Sequence, residues 1–188
     1  MTSRPGARER LLDAADELFA AGGFASTPVD AVLARAGVAP ATLYAHFGSK
    51  TGLQAAALSA RLRRWDDAWA AAVAAADDDR TRLLAVFDAL AAFRSTGTPS
   101  RWCAFLDAAA GAADDDAVAA TALAQDTALL RGRLGELAAP VAGDRAEELA
   151  EHLLVVVSGA LAMALRTDPD RAFAQGRATA AALLAGWR

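Results

Sequence analysis

The chain of 188 residues contains one cysteine, Cys103, and only two histidines. A single cysteine excludes a disulfide within the chain and a cluster of thiolate metal ligands, so we interpret Cys103 as a small buried apolar residue. The acidic runs that begin at Asp77 and Asp114 are typical of solvated helix ends rather than of a metal site. We therefore expect neither a metal ion nor a cofactor.

Long apolar runs are missing as well. Hydrophobic residues make up 55% of the chain, but the longest uncharged apolar run covers only residues 153–165, and a membrane-spanning helix needs roughly 20 residues. The N-terminal residues carry closely spaced charges and lack the apolar segment and cleavage site of a secretory signal. These absences predict a cytoplasmic protein with no membrane partner.

Strand signals are nearly absent, whereas alanine, the best helix former, makes up about 29% of the residues. The sequence therefore predicts an all-α fold of about nine helices. We expect a small N-terminal lobe over residues 1–50, a connecting helix over residues 51–76, and a larger helical lobe that extends over residues 51–188.

Proline and glycine divide the end of the small lobe into two short helices. Thr27 is placed as the N-cap of one helix, with Pro28 at its first helical position and Gly37 at its end. Pro40 begins the next helix and Gly48 ends it. Two short helices joined by a tight glycine turn predict a helix-turn-helix.

Helical spacing of apolar residues continues to the C-terminus, and glycine, proline and acidic residues mark the ends of the helices. We predict one helix from Asp79 until Gly97, one over 101–110, one from the acids at 114–116 to Pro140, one after the loop at Gly143 and Asp144, and a last one introduced by Asp168 and Pro169.

The charges are distributed unevenly. Residues 1–64 contain eight Lys and Arg against five Asp and Glu, a net charge of +3. Because the whole chain has a net charge of −4, the remaining residues have a net charge of −7. A mildly basic end on an acidic body is expected when only that end contacts a polyanion. The sequence pI near 5.2 argues against a protein that wraps nucleic acid.

The second helix of the predicted helix-turn-helix presents two different faces. Leu43 and Phe47, four residues apart, form an apolar face that can pack on the partner helices. The opposite face can enter a major groove, about 12 Å wide. Five residues contribute to it: Pro40, Ala41, Thr42, Tyr44 and His46.

Two further residues are candidate phosphate contacts. Lys50, the only lysine in the chain, follows the recognition helix as a flexible point charge. Thr27 marks a helix N-terminus, where backbone N–H groups favour an anion. Two side chains also have structural interpretations, because Tyr44 could belong to the core of the lobe and His46 could pack against or cap a helix.

These motifs resemble the TetR family of bacterial transcriptional regulators. The resemblance rests on AGVAPATLYAHFGSKTG at 36–52, on LLDAADELFAAGGF at 11–24 and on Thr27, and it covers roughly the first 55 residues. It implies that Thr27, Tyr44, His46 and Lys50 contact the operator backbone and that Pro40, Ala41 and Thr42 lie over base edges. Because Ala39, Pro40 and Ala41 offer only shape and methyl contacts, the operator sequence does not follow from the recognition helix.

The resemblance also implies partners. They are double-stranded operator DNA, a second copy of the chain bound through the last two helices, about 145–187, and a small effector. Gly159, Ala160 and Ala164 would permit close packing in such a dimer. The expected protein is a regulator, most simply a repressor that the effector releases from DNA, and not an enzyme.

The middle of the chain is rich in aromatic residues, which either fill an ordinary core or line an apolar cavity for a hydrophobic effector. His152 stands on an otherwise apolar predicted helix, where a buried, hydrogen-bonded histidine and a ligand contact are the two alternatives. The candidate effector residues are Trp65, Trp69, Phe87, Trp102, Phe105 and His152.

An enzyme and a docking module are the two alternative functions. An enzyme on a helical bundle would need a nucleophile, base or metal set, and the chain has no HExxH or GxSxG motif and no glycine-rich phosphate loop after a strand. A ligand-sequestering or protein-docking module with a degenerate helix-turn-helix stays open. The activity of such a module would not depend on Tyr44 or Lys50.

Overall fold

A computed structural model describes residues 5–22, 27–95 and 117–187. Within these ranges the chain forms eight α-helices and one 3-10 turn, without a strand, which confirms the all-α prediction. The helix predicted over 101–110 lies outside the described residues. The helices are α1 Ala7–Gly22, α2 Val29–Ala36, α3 Pro40–Phe47, α4 Lys50–Ala74, α5 Asp79–Ser95, α6 Ala117–Ala142, α7 Ala146–Ala164 and α8 Pro169–Gly186.

The described residues divide into two compact units. Unit 1 contains those up to Arg64 together with 117–125, and unit 2 contains the rest. Helices α4 and α6 therefore contribute residues to both units. None of the described helices combines the length and the apolarity that crossing a membrane requires.

The turn between α2 and α3 is built as the sequence predicted. Gly37 ends α2 with φ of 63°, a left-handed conformation that glycine adopts without strain. The amides of Gly37 and Val38 donate to the carbonyls of Ala34 and Leu33. Gly48 ends α3 with a positive φ of 72°, and its amide donates to the Tyr44 carbonyl oxygen. The helix-turn-helix is therefore present.

The predicted N-cap of α2 is wrong. Helix α2 begins at Val29, and its N-cap is Pro28, which contributes no side-chain cap hydrogen bond. Thr27 lies one residue earlier, is 5% exposed, and its hydroxyl donates to the Leu18 carbonyl oxygen of α1 over 3.4 Å. The side chain thus links α1 to the start of α2 and does not cap a helix.

The core of unit 1 joins its four N-terminal helices. Leu11 of α1, Val32 of α2, Leu43 of α3 and Leu53 of α4 are each at most 1% exposed. Ala122 of α6 belongs to the same buried cluster. Burying one such leucine contributes roughly 1.5–3 kcal/mol, so this cluster holds α3 firmly and leaves its opposite face outward.

In unit 2, helix α8 packs along both α7 and α5. A Cβ atom on Gly176 of α8 would lie 2.8 Å from the Ala160 Cβ atom of α7 and 2.8 Å from Cε1 of Phe87 in α5. The three helices approach closely because position 176 has no side chain. Arg80 of α5 donates to the Leu184 carbonyl oxygen of α8 over 3.3 Å.

The start of α8 was predicted correctly from the sequence, whereas the end of α6 was not. Asp168 caps α8 as expected, because its carboxylate accepts from the Asp170 amide over 3.2 Å, and Pro169 is the first helical residue. The predicted end of α6 at Pro140 is wrong, since the helix continues to Ala142. Proline removes one backbone hydrogen bond near the helix end, and Ala138, which is 0% exposed, keeps this turn packed.

Candidate nucleic-acid interface

Helix α3 separates a buried face from an exposed one. Leu43 is 1% exposed, and Phe47 packs against the unit 1 core. Tyr44 is 59% exposed, which rules out the core interpretation of its side chain. Of the other predicted contacts on this helix, Pro40, Ala41 and His46 are exposed and Thr42 is half-buried.

His46 is placed at the end of the recognition helix. Its ring is exposed and meets the ring of Phe47 edge to face, with centroids 6.2 Å apart. The side chain therefore touches a packed aromatic residue while its nitrogens remain accessible. The side chain stands in the last turn of α3.

Thr27 is not placed as a direct contact. Its side chain is buried beneath the start of α2, so its hydroxyl is not presented to a phosphate. The exposed residues at the start of α2 are Pro28 and Asp30.

Lys50 stands at a tightly built junction between α3 and α4. It is the first residue of α4, and the Gly52 amide donates to the Ser49 side-chain hydroxyl over 2.9 Å. A Cβ atom on Gly52 would lie 2.0 Å from the carbonyl oxygen of Phe47. The exposed ammonium of Lys50 thus starts from a fixed backbone next to the end of the recognition helix.

Two arginines of α1 that the sequence analysis did not single out reach the helix-turn-helix. Arg10 donates from Nε to the Ala36 carbonyl oxygen over 3.1 Å and from Nη1 to the Pro5 carbonyl oxygen over 2.9 Å. The guanidinium carbon of Arg8 lies 5.5 Å from the centroid of the Phe47 ring. No spacing rule distinguishes these arginines from other N-terminal cations, because their partners are distant in sequence.

The remaining arginines near α1 are paired with its acids. Arg61 and Arg64 of α4 bind Asp16 at 3.1 and 2.7 Å, and Arg35 binds Glu17 at 2.6 Å. Neither Arg8 nor Lys50 forms an ion pair with a described acidic residue. Two of the cations of unit 1 that form no ion pair with a described acid, Arg8 and Lys50, thus lie beside the end of α3.

The predicted effector residues do not form one cluster, but Trp65 and Trp69 lie together. Trp65 and Trp69 are 6% and 0% exposed, with ring centroids 5.6 Å apart. The guanidinium of Arg133 lies 5.3 Å from the Trp69 ring and pairs with Asp66 at 2.7 Å. The indole N–H of Trp69 is buried and has no acceptor in the described part of the chain.

Phe87 and His152 do not join this tryptophan cluster. Phe87 occupies the close contact with Gly176 described above, so it packs helix against helix. Trp102 and Phe105 lie outside the described residues. His152 is exposed, which makes the expectation of a buried histidine wrong, and its ring meets Trp187 edge to face at 5.5 Å.

Helix α7 presents exposed apolar residues. Val155 and Met163 are 71% and 46% exposed, and Gly159, midway between them, is exposed too. Ala160, predicted to pack between two subunits, is instead buried against Gly176 of its own chain. Among the residues that the structure describes, no group of three or more His, Cys, Asp or Glu side chains is arranged to hold a metal ion.

Sequence comparison supports this interpretation of the helix-turn-helix. Residues 11–57 match the model of a family described as bacterial regulatory proteins, tetR family. The matched range includes α2, α3 and the start of α4. No curated protein gives a significant match to the sequence.

Solved structures extend the similarity over nearly the whole chain. The fold is similar to that of SCO4454, a TetR-family transcriptional regulator from Streptomyces coelicolor, with a TM-score of 0.85 and 27% identity over 96% of this chain and 95% of that chain. A TetR transcriptional regulator from Chloroflexus aurantiacus has the same fold, with a TM-score of 0.81 and 19% identity over 96% of this chain and 94% of that chain.

Proposed function

We propose that the chain, which matches the TetR family of bacterial regulatory proteins over residues 11–57 and shares the fold of a TetR-family regulator, represses transcription by binding a palindromic operator as a homodimer. In this proposal a small, mainly hydrophobic effector releases the protein from DNA. The family consists of DNA-binding regulators rather than enzymes, so the chemistry to be explained is recognition and release.

The observation that carries the proposal is the outward face of α3. Tyr44 is 59% exposed on a helix that Leu43, 1% exposed, anchors in the core. An eight-residue helix held in this way fits a major groove, with Tyr44 and His46 directed to phosphates or base edges. Lys50 adds a phosphate contact immediately after the helix.

Dimerisation is proposed to occur through α7 and α8. The exposed Val155 and Met163 of α7 supply apolar area that a monomer leaves in water, and Ala174, Ala178 and Ala182 form an exposed small-residue row on α8. A two-fold dimer of this kind would place two recognition helices at half-sites about 34 Å apart or a multiple of that distance. Such an arrangement requires a palindromic operator.

The effector is proposed to bind near Trp65 and Trp69. Both indoles are buried, and the N–H group of Trp69 lacks an acceptor among described residues, so a hydrophobic molecule whose carbonyl or ether oxygen accepts from that N–H group fits best. An effector releases DNA only to the extent that it binds better to a dimer whose recognition helices have the wrong separation. Helix α4 contains both Lys50 and the two tryptophans.

Selection of genomic DNA fragments by purified protein at about 0.15 M salt, where non-specific binding is weak, tests the proposal. The wild-type chain is compared with a Tyr44→Ala, Lys50→Ala double variant. Arg63→Ala is the matched control, because it removes an exposed cation of α4 about 20 Å from Lys50 along the helix. We expect wild type and Arg63→Ala to enrich one palindromic site and the double variant to enrich none.

Two results would count against the proposal. Enrichment of the same site by the double variant would show that α3 does not read DNA. Failure of all three proteins to enrich any fragment, with retained helicity, would favour the docking module instead.

A further inference from the structure

Arg8 is an exposed cation held beside the recognition helix. It lies in the first turn of α1, its guanidinium carbon is 5.5 Å from the Phe47 ring centroid, and it forms no ion pair with a described acidic residue. A cation over an aromatic face is attracted to the ring but keeps its N–H donors available at the edge.

The backbone beneath Arg8 is fixed by its neighbour. Arg10, two residues further along α1, bonds to the carbonyl oxygens of Ala36 and Pro5, and Leu11 is fully buried in the unit 1 core. The first turn of α1 is therefore tied to the end of α2. Arg8 does not depend on a flexible loop for its position.

Phe47 connects Arg8 with Lys50. The Phe47 ring contacts the Arg8 guanidinium, while the Phe47 carbonyl oxygen lies against Gly52 in the first turn of α4, which Lys50 begins. Two unpaired cations thus lie close to the last residue of α3. A groove that α3 enters is bordered by phosphates, which guanidinium and ammonium groups bind strongly.

We propose that Arg8 binds a DNA phosphate beside the groove that α3 enters, so that α1 contributes a second cation next to Lys50. This inference rests on the proposed function. A phosphate contact carries no sequence information; Arg8 therefore strengthens binding to any duplex equally and does not select the operator.

The proposed contact between Arg8 and a DNA phosphate can be tested by measuring how DNA affinity depends on salt concentration. The full chain binds two probes, a random-sequence duplex of about 40 base pairs and the genomic fragment selected above, between about 0.05 and 0.2 M salt. Arg8→Gln keeps a polar side chain over Phe47 without the charge, and Arg8→Lys keeps the charge. Arg63→Gln is the matched control. Thermal unfolding of each variant shows whether the fold is retained.

For Arg8→Gln we expect the slope of log K against log salt to become shallower by about 0.9 for each protomer bound. Affinity at low salt should fall about 3- to 10-fold, by the same factor for both probes, as expected for a lost phosphate contact. Arg8→Lys should keep the wild-type slope, and Arg63→Gln should match wild type.

The outcomes separate this inference from the proposed function. If Lys50→Ala weakens binding but Arg8→Gln keeps the wild-type slope and affinity, Arg8 only covers Phe47 and the inference is overturned while the regulator stands. A loss confined to the selected fragment would mean a base contact, which also contradicts it. If wild type binds neither probe, both the inference and the proposed function fail.

Discussion

The α carbon of Gly52 and the carbonyl oxygen of Phe47 are so close that a Cβ atom at position 52 would stand 2.0 Å from that oxygen. Real Cβ atoms do not approach an oxygen this closely, and the oxygen belongs to the backbone, which cannot rotate away as a flexible side chain would. The end of the recognition helix and the first turn of α4 can therefore meet in this way only with glycine at position 52.

Gly52→Ala should disturb unit 1 and DNA binding together. The added methyl group must push α3 and α4 apart, a form of overpacking that costs typically about 1–3 kcal/mol. We expect a lower free energy of unfolding in urea and at least a 10-fold loss of affinity for the selected DNA fragment. Gly132→Ala, where nothing lies within 4 Å, is the control, and equal DNA affinities of the two variants would contradict the prediction.

Gly176→Ala should destabilise unit 2 without changing the proposed DNA-contacting surface. Its methyl group would lie 2.8 Å from the buried ring of Phe87 and from the Ala160 Cβ atom, so we expect a loss of about 1–3 kcal/mol. Gly132→Ala should be neutral or up to about 1 kcal/mol more stable, because alanine favours helix. Denaturant unfolding checks both variants, and a Gly176→Ala protein as stable as wild type would refute the close contact.

The buried carboxyl group of Asp126 should make the free energy of unfolding depend on pH. Burial raises the pKa of its carboxyl group to about 6, above the value of about 3.9 for an unfolded aspartate. Between these values the folded state binds the proton more tightly, so the free energy of unfolding decreases as pH rises through that window and is lowest above it.

Asp126→Asn should remove the loss of stability that ionisation of the buried carboxyl group causes. At pH 7.5 we expect the variant to be about 1–3 kcal/mol more stable than wild type, with a gap that narrows near pH 4.5. Urea unfolding at both pH values measures the difference. A gap of the same size at both pH values would mean that ionisation of Asp126 is not the cause.

Val155→Asp should convert dimers to monomers. The side chain is 71% exposed in the single chain, so folding of the subunit should be unaffected, whereas a charge buried without a partner in the proposed interface weakens association by at least about 100-fold, or about 2.7 kcal/mol. Light scattering after size exclusion checks the mass, and circular dichroism checks the helices.

Ala128→Asp is the companion control for Val155→Asp. It places the same charge on an exposed position of α6 and should leave the dimer intact. Persistence of the dimer in Val155→Asp, or its loss in Ala128→Asp, would move the interface away from the exposed face of α7.

The elements that the sequence predicted well are those decided by local chemistry. Gly37 and Gly48 end their helices because glycine accepts a positive φ. Asp168 and Pro169 begin α8 because a carboxylate can cap an orphan amide next to a residue with no amide hydrogen. The exposed face of α3 follows from helical periodicity around Leu43 in the same way.

The errors share a different cause. Threonine is a common N-cap residue, but the Thr27 hydroxyl donates to the carbonyl oxygen of Leu18, nine residues earlier, and does not cap α2. A buried His152 was one of two alternatives because the helix around it is otherwise apolar, yet its side chain is exposed. Arg8 was overlooked because its partner, Phe47, is distant in sequence. Tertiary contacts decide such positions, and no local pattern records them.

The solitary lysine has a consequence for covalent chemistry. Because Lys50 is the only lysine of the chain and is exposed where α4 begins, an acylating reagent that attacks primary amines finds one side-chain target, beside the recognition helix. Acetylation there would replace an ammonium with a neutral amide and remove the charge that is proposed to bind a phosphate. A single acyl group is therefore expected to inactivate the proposed DNA-binding surface while leaving every arginine intact.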